Sequence, residues 1–218
     1  KLVAYLPYYA PIVSKFSLIM NLRDKLPGLA KLSEVFLGFT SKRPLPKWRN
    51  NYFKNKELPN NLNEIKNATP VILFVDTFNR YYEPENVRSA IKVLKKAGYY
   101  PFIPTLPNSS KILCCGRTYL SNGLIDNAKN EMLNILNAFR PYLKQGISVV
   151  GLEPSCILSF RDEIPNLIKN EDTQYLKNNS YTFEELLFKK SKKIKFKRIN
   201  KKVLLHGHCH QKAFDAVK

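Results

Sequence analysis

The 218-residue sequence is 44% hydrophobic and 24% charged, enough apolar content for one or two domains with a real core. Its 36 Lys and Arg against 17 Asp and Glu, formally +19, would ordinarily point to nucleic acid or anionic surfaces. The excess is mostly Lys and travels with Asn and Ile, as an AT-rich genome produces; no motif of a nucleic-acid-binding module is present, so nucleic acid is not expected as a partner. The stretch 2–22 is broken by Pro7, Pro11, Lys15 and Asn21, too polar and kinked to span a bilayer, and no secretory signal is visible. Four Cys, two of them adjacent, do not make a secreted disulfide framework. The expected setting is cytoplasmic, or peripheral on the inner membrane. The chain starts at Lys1 and stops a few residues into what reads as a fresh helix, so it is read as a piece of a longer polypeptide.

In chain order, residues 1–67 form an irregular connector interrupted by six prolines with short helical patterns between, and apolar residues recur at helical spacing in 28–37. The polar run 42–67 reads as extended chain laid over a surface, anchored by Trp48 and Phe53. From Pro70 the pattern changes. Val-Ile-Leu-Phe-Val at 71–75 is a strand buried on both faces. Pro84 suits a helix's first turn, Val87, Ile91, Val93, Leu94 and Ala97 give its stripe, and Gly98 stops it. A second strand follows at 99–103. A second amphipathic helix runs through Leu124, Ala128, Met132, Leu133, Ile135 and Leu136, ending before Pro141 or at Gly146. A third strand spans 147–152, the block 184–188 reads as a capping helix, 189–198 is a basic run, and 203–205 is expected as a fourth strand. Alternating strands and helices predict an α/β fold, a parallel sheet flanked by helices.

The unusual residues fall where these strands end. Asp76 closes the first, Cys114-Cys115-Gly116 follows the second, Glu153-Pro154-Ser155-Cys156 closes the third, and His206-Gly207-His208-Cys209-His210 closes the expected fourth. Ligands of open α/β sheets collect beyond the carboxyl ends of the strands, so the four motifs are predicted to meet on one rim. Vicinal thiols followed by Gly suit one soft metal centre, since Gly permits the sharp turn needed to aim both inward. Buried packing and thiol redox chemistry are the other readings. Glu153 serves as a hard ligand, a general base or a helix cap. All three His lie within five residues and would share one face of a strand, as in a His-x-His metallohydrolase site, the main enzymatic rival.

Cys114-Cys115-Gly116-Arg117, Glu153-Pro154-Ser155-Cys156 and His206-Gly207-His208-Cys209-His210-Gln211-Lys212-Ala213 together resemble the cysteine-rich "CCG" domain of FAD-linked, iron–sulfur-containing D-2-hydroxyacid oxidoreductases. The domain is similar to that of the glycolate oxidase iron–sulfur subunit and the heterodisulfide reductase B subunit. The likeness covers most of the chain from Val71 onward, and extends to Tyr5-Leu6-Pro7-Tyr8-Tyr9-Ala10-Pro11 and Arg43-Pro44-Leu45-Pro46-Lys47-Trp48 in the connector.

The resemblance implies a tandem repeat: a connector over 1–67, a first half-domain over 68–182, a basic linker over 183–202, and the start of a second copy over 203–218. It maps Cys114, Cys115 and Cys156 onto the ligands of the first copy and Cys209 onto the leading Cys of the second; with His208 and His210 of the histidine run these are the candidate metal-site residues, for an iron–sulfur cluster of the 4Fe-4S type or zinc. Asp76 and Glu153 stand where the family has thiolates, and this departure leaves the full ligand set incomplete. An electron-transfer segment is implied, fed by a flavin (FAD) domain of the same polypeptide that oxidises a D-2-hydroxyacid, and passing electrons to a quinone or a carrier protein. The flavin site itself would lie outside this chain.

Overall fold

The computed structural model describes residues 2–62, 68–190, 194, 196–197 and 200–214. Helices α1 (Leu6–Val13), α2 (Ser17–Met20) and α3 (Leu29–Leu37) come first. The α/β body then runs β1 (Thr69–Phe74), α4 (Thr77–Tyr81), α5 (Pro84–Lys96), β2 (Tyr99–Phe102), α6 (Arg117–Leu120), α7 (Ile125–Leu143), β3 (Ser148–Gly151), α8 (Pro154–Ile157), α9 (Glu163–Leu167), α10 (Glu171–Asn179), β4 (Ser180–Thr182) and α11 (Phe183–Lys190). A short helix α12 (Cys209–Ala213) closes the described chain.

The four strands form one sheet in the order β2-β1-β3-β4, every neighbouring pair parallel. This is the α/β architecture the alternation of strands and helices predicts. Val71, Ile72 and Leu73 are wholly buried, as a strand covered on both faces must be. Val71, Leu73 and Val75 face α5 and α11, while Ile72 and Phe74 face α7 and Phe160. The chain steps from β1 to β2 on one side and then crosses back from β2 to β3 on the other. The switch falls between β1 and β3, and there lies the crevice where such sheets hold their ligands.

The connector is riveted to this body. Phe53 is fully buried, its N–H donates to the Arg80 carbonyl at 3.0 Å, and Arg80 Nη1 donates back to the Phe53 carbonyl at 3.2 Å. Trp48 stacks among aromatic rings, with Tyr82 at 4.7 Å between centroids. Both residues anchor as their apolar bulk in a polar run predicts. The helix expected over 28–37 forms as α3, yet Val35 is 80% exposed and Phe36 76%, so its apolar stripe is not covered by the described chain.

One strand is corrected. Residues 203–205 carry no strand pairing among the described residues, and Leu204 is 98% exposed. The fourth place in the sheet belongs to β4, a Ser-Tyr-Thr segment too short and polar to register as a strand by hydrophobicity. It is tolerated because its polar atoms are satisfied: Ser180 Oγ donates to the Leu176 carbonyl at 2.7 Å, and the Thr182 N–H donates to Glu185 Oε2 at 3.0 Å. With that strand goes the alternation proposed for the histidines. His208 caps α12 instead, its Nδ1 accepting the His210 N–H at 3.2 Å. Part of the basic run 189–198 and the last residues of the proposed second copy, 215–218, lie outside the described residues.

Candidate functional site

Three thiols gather at the carboxyl rim. The loop after β2 carries Cys114 and Cys115 inward, and Gly116 then reverses the chain with φ +79° into α6. A side chain at Gly116 would place its Cβ 2.9 Å from the Ala128 carbonyl oxygen, so this turn lies directly on α7. Cys156 arrives from the other side, on α8, just past the end of β3. That approach is also close, since a Cβ on Gly151 would lie 2.7 Å from Ile157 Cβ. Cys115 Sγ and Cys156 Sγ meet at 3.1 Å across 41 residues of sequence, and the Gly116 N–H donates to Cys114 Sγ at 3.4 Å. All three side chains are buried within the apolar cluster on the α7 face of the sheet.

The two acids read as substitutes for thiolates work as helix caps. Asp76 Oδ1 accepts the Phe78 and Asn79 N–H groups at 2.9 and 3.0 Å, and Oδ2 accepts Asn79 Nδ2 at 2.7 Å. Glu153 Oε1 accepts the Ser155 hydroxyl at 2.7 Å and its N–H at 3.3 Å. Of the three roles open to Glu153, capping is the one the structure shows.

Charge is crowded here. Burial pushes the Asp76 carboxyl up against its capping bonds, and Glu153 adds to the rise. The Cys114 thiol is raised by its contact with Cys115 and by burial. Cys115 ends well above its ordinary value, the lowering from Cys114 being outweighed by Cys156 and burial. At Cys156 the contact with Cys115 lowers and burial raises; with Asp76, Cys114 and Glu153 adding to the rise, the thiol sits at about 11. The site as it stands therefore holds protonated thiols at neutral pH.

His210 joins this rim through a residue the sequence motifs contained but did not mark as functional. Arg117, directly after Cys-Cys-Gly, donates from Nη2 to His210 Nε2 at 2.9 Å and pairs through Nη1 with Glu163. A guanidinium can only donate, so Nε2 is the acceptor and the proton sits on Nδ1, which is buried without a hydrogen-bond partner. Burial first, then Arg117 and His208, hold the His210 pKa below its ordinary value. Cys209 points outward and is exposed, and His206 is exposed as well. The sequence-distant motifs thus converge, apart from Cys209 and His206.

The three thiols match a thiophilic centre in kind, but the His210 ring offers it no free lone pair, since Nε2 accepts from Arg117 and Nδ1 carries the proton. The donors do not fit one in arrangement. Among the described residues, no group of three or more His, Cys, Asp or Glu side chains is placed to hold a metal ion. Asp76 and Glu153 are committed to backbone capping and Cys209 stands apart, so neither a four-thiolate cluster nor a tetrahedral zinc site is assembled from this chain's described residues. No helix among the described residues is long and apolar enough to cross a membrane.

No family model and no solved structure matches the chain. It is similar to one subunit of the anaerobic glycerol-3-phosphate dehydrogenase of Escherichia coli (strain K12), 25% identical over 203 residues, covering 91% of this chain and 50% of that protein. It is similar also to D-2-hydroxyglutarate dehydrogenase of Pantoea ananatis (strain AJ13355), 25% identical over 179 residues, which is 77% of this chain and 16% of that protein. The same-named protein of Haemophilus influenzae is 26% identical over 179 residues, 78% of this chain and 17% of its own length. The chain spans half the length of the first of these relatives and a much smaller share of the others. All three are dehydrogenases or part of one, and the chain is related to oxidoreductases of that kind.

Proposed function

We propose that this chain is the electron-relay segment of a larger dehydrogenase acting on a hydroxyl-bearing acid, with Cys114, Cys115 and Cys156 as its redox-active centre. The observation that carries the reading is the meeting of Cys115 and Cys156 at 3.1 Å, at the crevice between β1 and β3, in a chain whose relatives are dehydrogenases. Substrate oxidation would occur at a flavin held outside this chain, in the same polypeptide or a partner subunit. The thiol centre would pass electrons to a quinone or a carrier protein. The chain would form the connector and first of two cysteine-rich units, working at the cytoplasmic side. In this scheme Gly116 and Gly151 set the approach of the two thiol-bearing segments, and Arg117 fixes His210 beside them. A metallohydrolase built on His206 and His208 is not favoured, because His206 is exposed and the His208 ring is occupied as a cap.

The test uses the full-length protein purified without oxygen, with iron, sulfide and zinc analysis to identify what, if anything, the thiols hold. Flavin bleaching by D-2-hydroxyglutarate, D-lactate, glycolate or glycerol 3-phosphate reports substrate oxidation; reduction of a dye acceptor reports relay. Cys115→Ser and Cys156→Ser should leave flavin bleaching intact and abolish dye reduction. Full dye reduction in both variants would overturn the reading.

A further inference from the structure

With Asp76 and Glu153 spent as caps and Cys209 exposed, the rim is left with three buried thiols, and two of them suit each other better than they suit a metal. Cys115 Sγ and Cys156 Sγ lie 3.1 Å apart, about 1 Å beyond a disulfide bond length of about 2.05 Å. The rival partner for Cys115 is its neighbour in the chain. Adjacent α-carbons sit only about 3.8 Å apart, however, short of the roughly 4.4–6.8 Å that a disulfide spans. Cys114 is engaged with its own loop, its sulfur accepting the Gly116 N–H at 3.4 Å. Both thiol-bearing segments are held by close packing, the turn at Gly116 on α7 and α8 on Gly151.

Charge favours the same pairing. A disulfide and a pair of thiols are both neutral, so the apolar cluster around them, with Phe74, Ile157 and Phe160, accepts either state without burying a charge. Metal ligation requires thiolates, here beside Asp76 and Glu153, which already oppose negative charge at Cys156.

We propose that Cys115 and Cys156 are a dithiol/disulfide couple, and that this couple, in place of a bound metal, is the electron-holding group of the thiol centre. When the S–S bond forms, both S–H bonds break, and an oxidised flavin takes the two electrons and two protons to become a dihydroflavin. In the reverse step a dihydroflavin returns them, the S–S bond breaks and both thiols re-form. The flavin's part rests on the relay reading above; the bond itself does not. Cys114 lines a cavity of about 430 Å³ beside exposed Tyr8, which brings a small reagent next to the pair.

Peptide mass spectrometry on the full-length protein, purified without oxygen and carrying Cys209→Ser, tests this. Limited diamide, which takes up the two hydrogens of a dithiol, should link the Cys115 and Cys156 peptides in most chains, and dithiothreitol should reopen the link. Cys114→Ser should keep the link and Cys115→Ser should lose it, with circular dichroism confirming that each variant is folded. Three results overturn the proposal: no link, a link that Cys115→Ser retains, or iron or zinc that leaves when Cys115 and Cys156 are both changed to Ser. Adding the substrates named above to the linked protein under nitrogen separates the two readings. If the flavin bleaches and the link stays closed, yet dithiothreitol opens it, the relay reading fails and the couple stands. If no link forms, yet Cys115→Ser and Cys156→Ser abolish dye reduction, the couple fails and the relay reading stands.

Discussion

Replacing Gly151 by Ala tests the placement of the thiol centre by steric means alone. Gly151 lies at the end of β3, and a Cβ there would sit 2.7 Å from Ile157 Cβ and 3.2 Å from two further atoms of that side chain. Carbon atoms rest at about 3.5–4.0 Å, so α8 must retreat by roughly 1 Å. No smaller rotamer of Ile157 relieves the clash, because the nearest atom is the one bonded to its own backbone. Overpacking of this kind costs about 1–3 kcal/mol, a fall of roughly 2–12 °C in Tm for a chain of this size. The retreat carries Cys156 away from Cys115 and opens the buried thiols to reagent. Urea melts and the rate of Cys156 reaction with a disulfide reagent, in a background lacking exposed Cys209, read both effects. Gly123→Ala is the control: with φ +74° it carries backbone strain and meets nothing within 4 Å, so it should lose stability without changing thiol reactivity. Equal thiol reactivity in Gly151→Ala and the parent would refute the close approach of α8 to β3, and with it the geometry of the centre.

Asp76→Ala should cost about 1–2 kcal/mol through the lost cap of α4, whereas Asp76→Asn keeps an acceptor and should cost less, measured by urea denaturation. Because Asp76 also helps to raise the Cys156 thiol, Asp76→Asn should lower the pH at which thiolate absorbance appears. The ionised Asp76 carboxyl works against folding: its folded pKa is raised, so its contribution is present below the unfolded carboxyl value and is lost as pH rises toward the folded one. Asp76→Asn should remove that loss from the stability profile. His210 behaves oppositely. Its folded pKa is lowered, so its contribution is full above about pH 6.5 and falls away as pH drops through the folded value, where the protonated ring can no longer accept from Arg117. Amide exchange in α12 should quicken below about pH 6.5, and His210→Gln should flatten that dependence.

Local chemistry made the body of this protein legible. The apolar run 71–75, the proline-started and glycine-stopped helix at α5, the stripe of α7 and the run ending at Gly151 each bury a face whose period is written in a dozen consecutive residues. The motifs at the strand ends were legible too, and with them the crevice, because a parallel sheet sends such ends to one rim. Three features needed the folded chain. Ser180–Thr182 becomes a strand only because β3 offers it an edge, while the more apolar 203–205 finds no partner among the described residues; pairing is a property of the neighbour, not of the segment. Asp76 and Glu153 look like ligands in a row of motifs and are caps in space, since only the backbone N–H groups ahead of them decide where a carboxylate is spent. And the 3.1 Å contact between Cys115 and Cys156, like the bond from Arg117 to His210, joins residues separated by 41 and 93 positions, a distance over which sequence spacing carries no metric and only packing does.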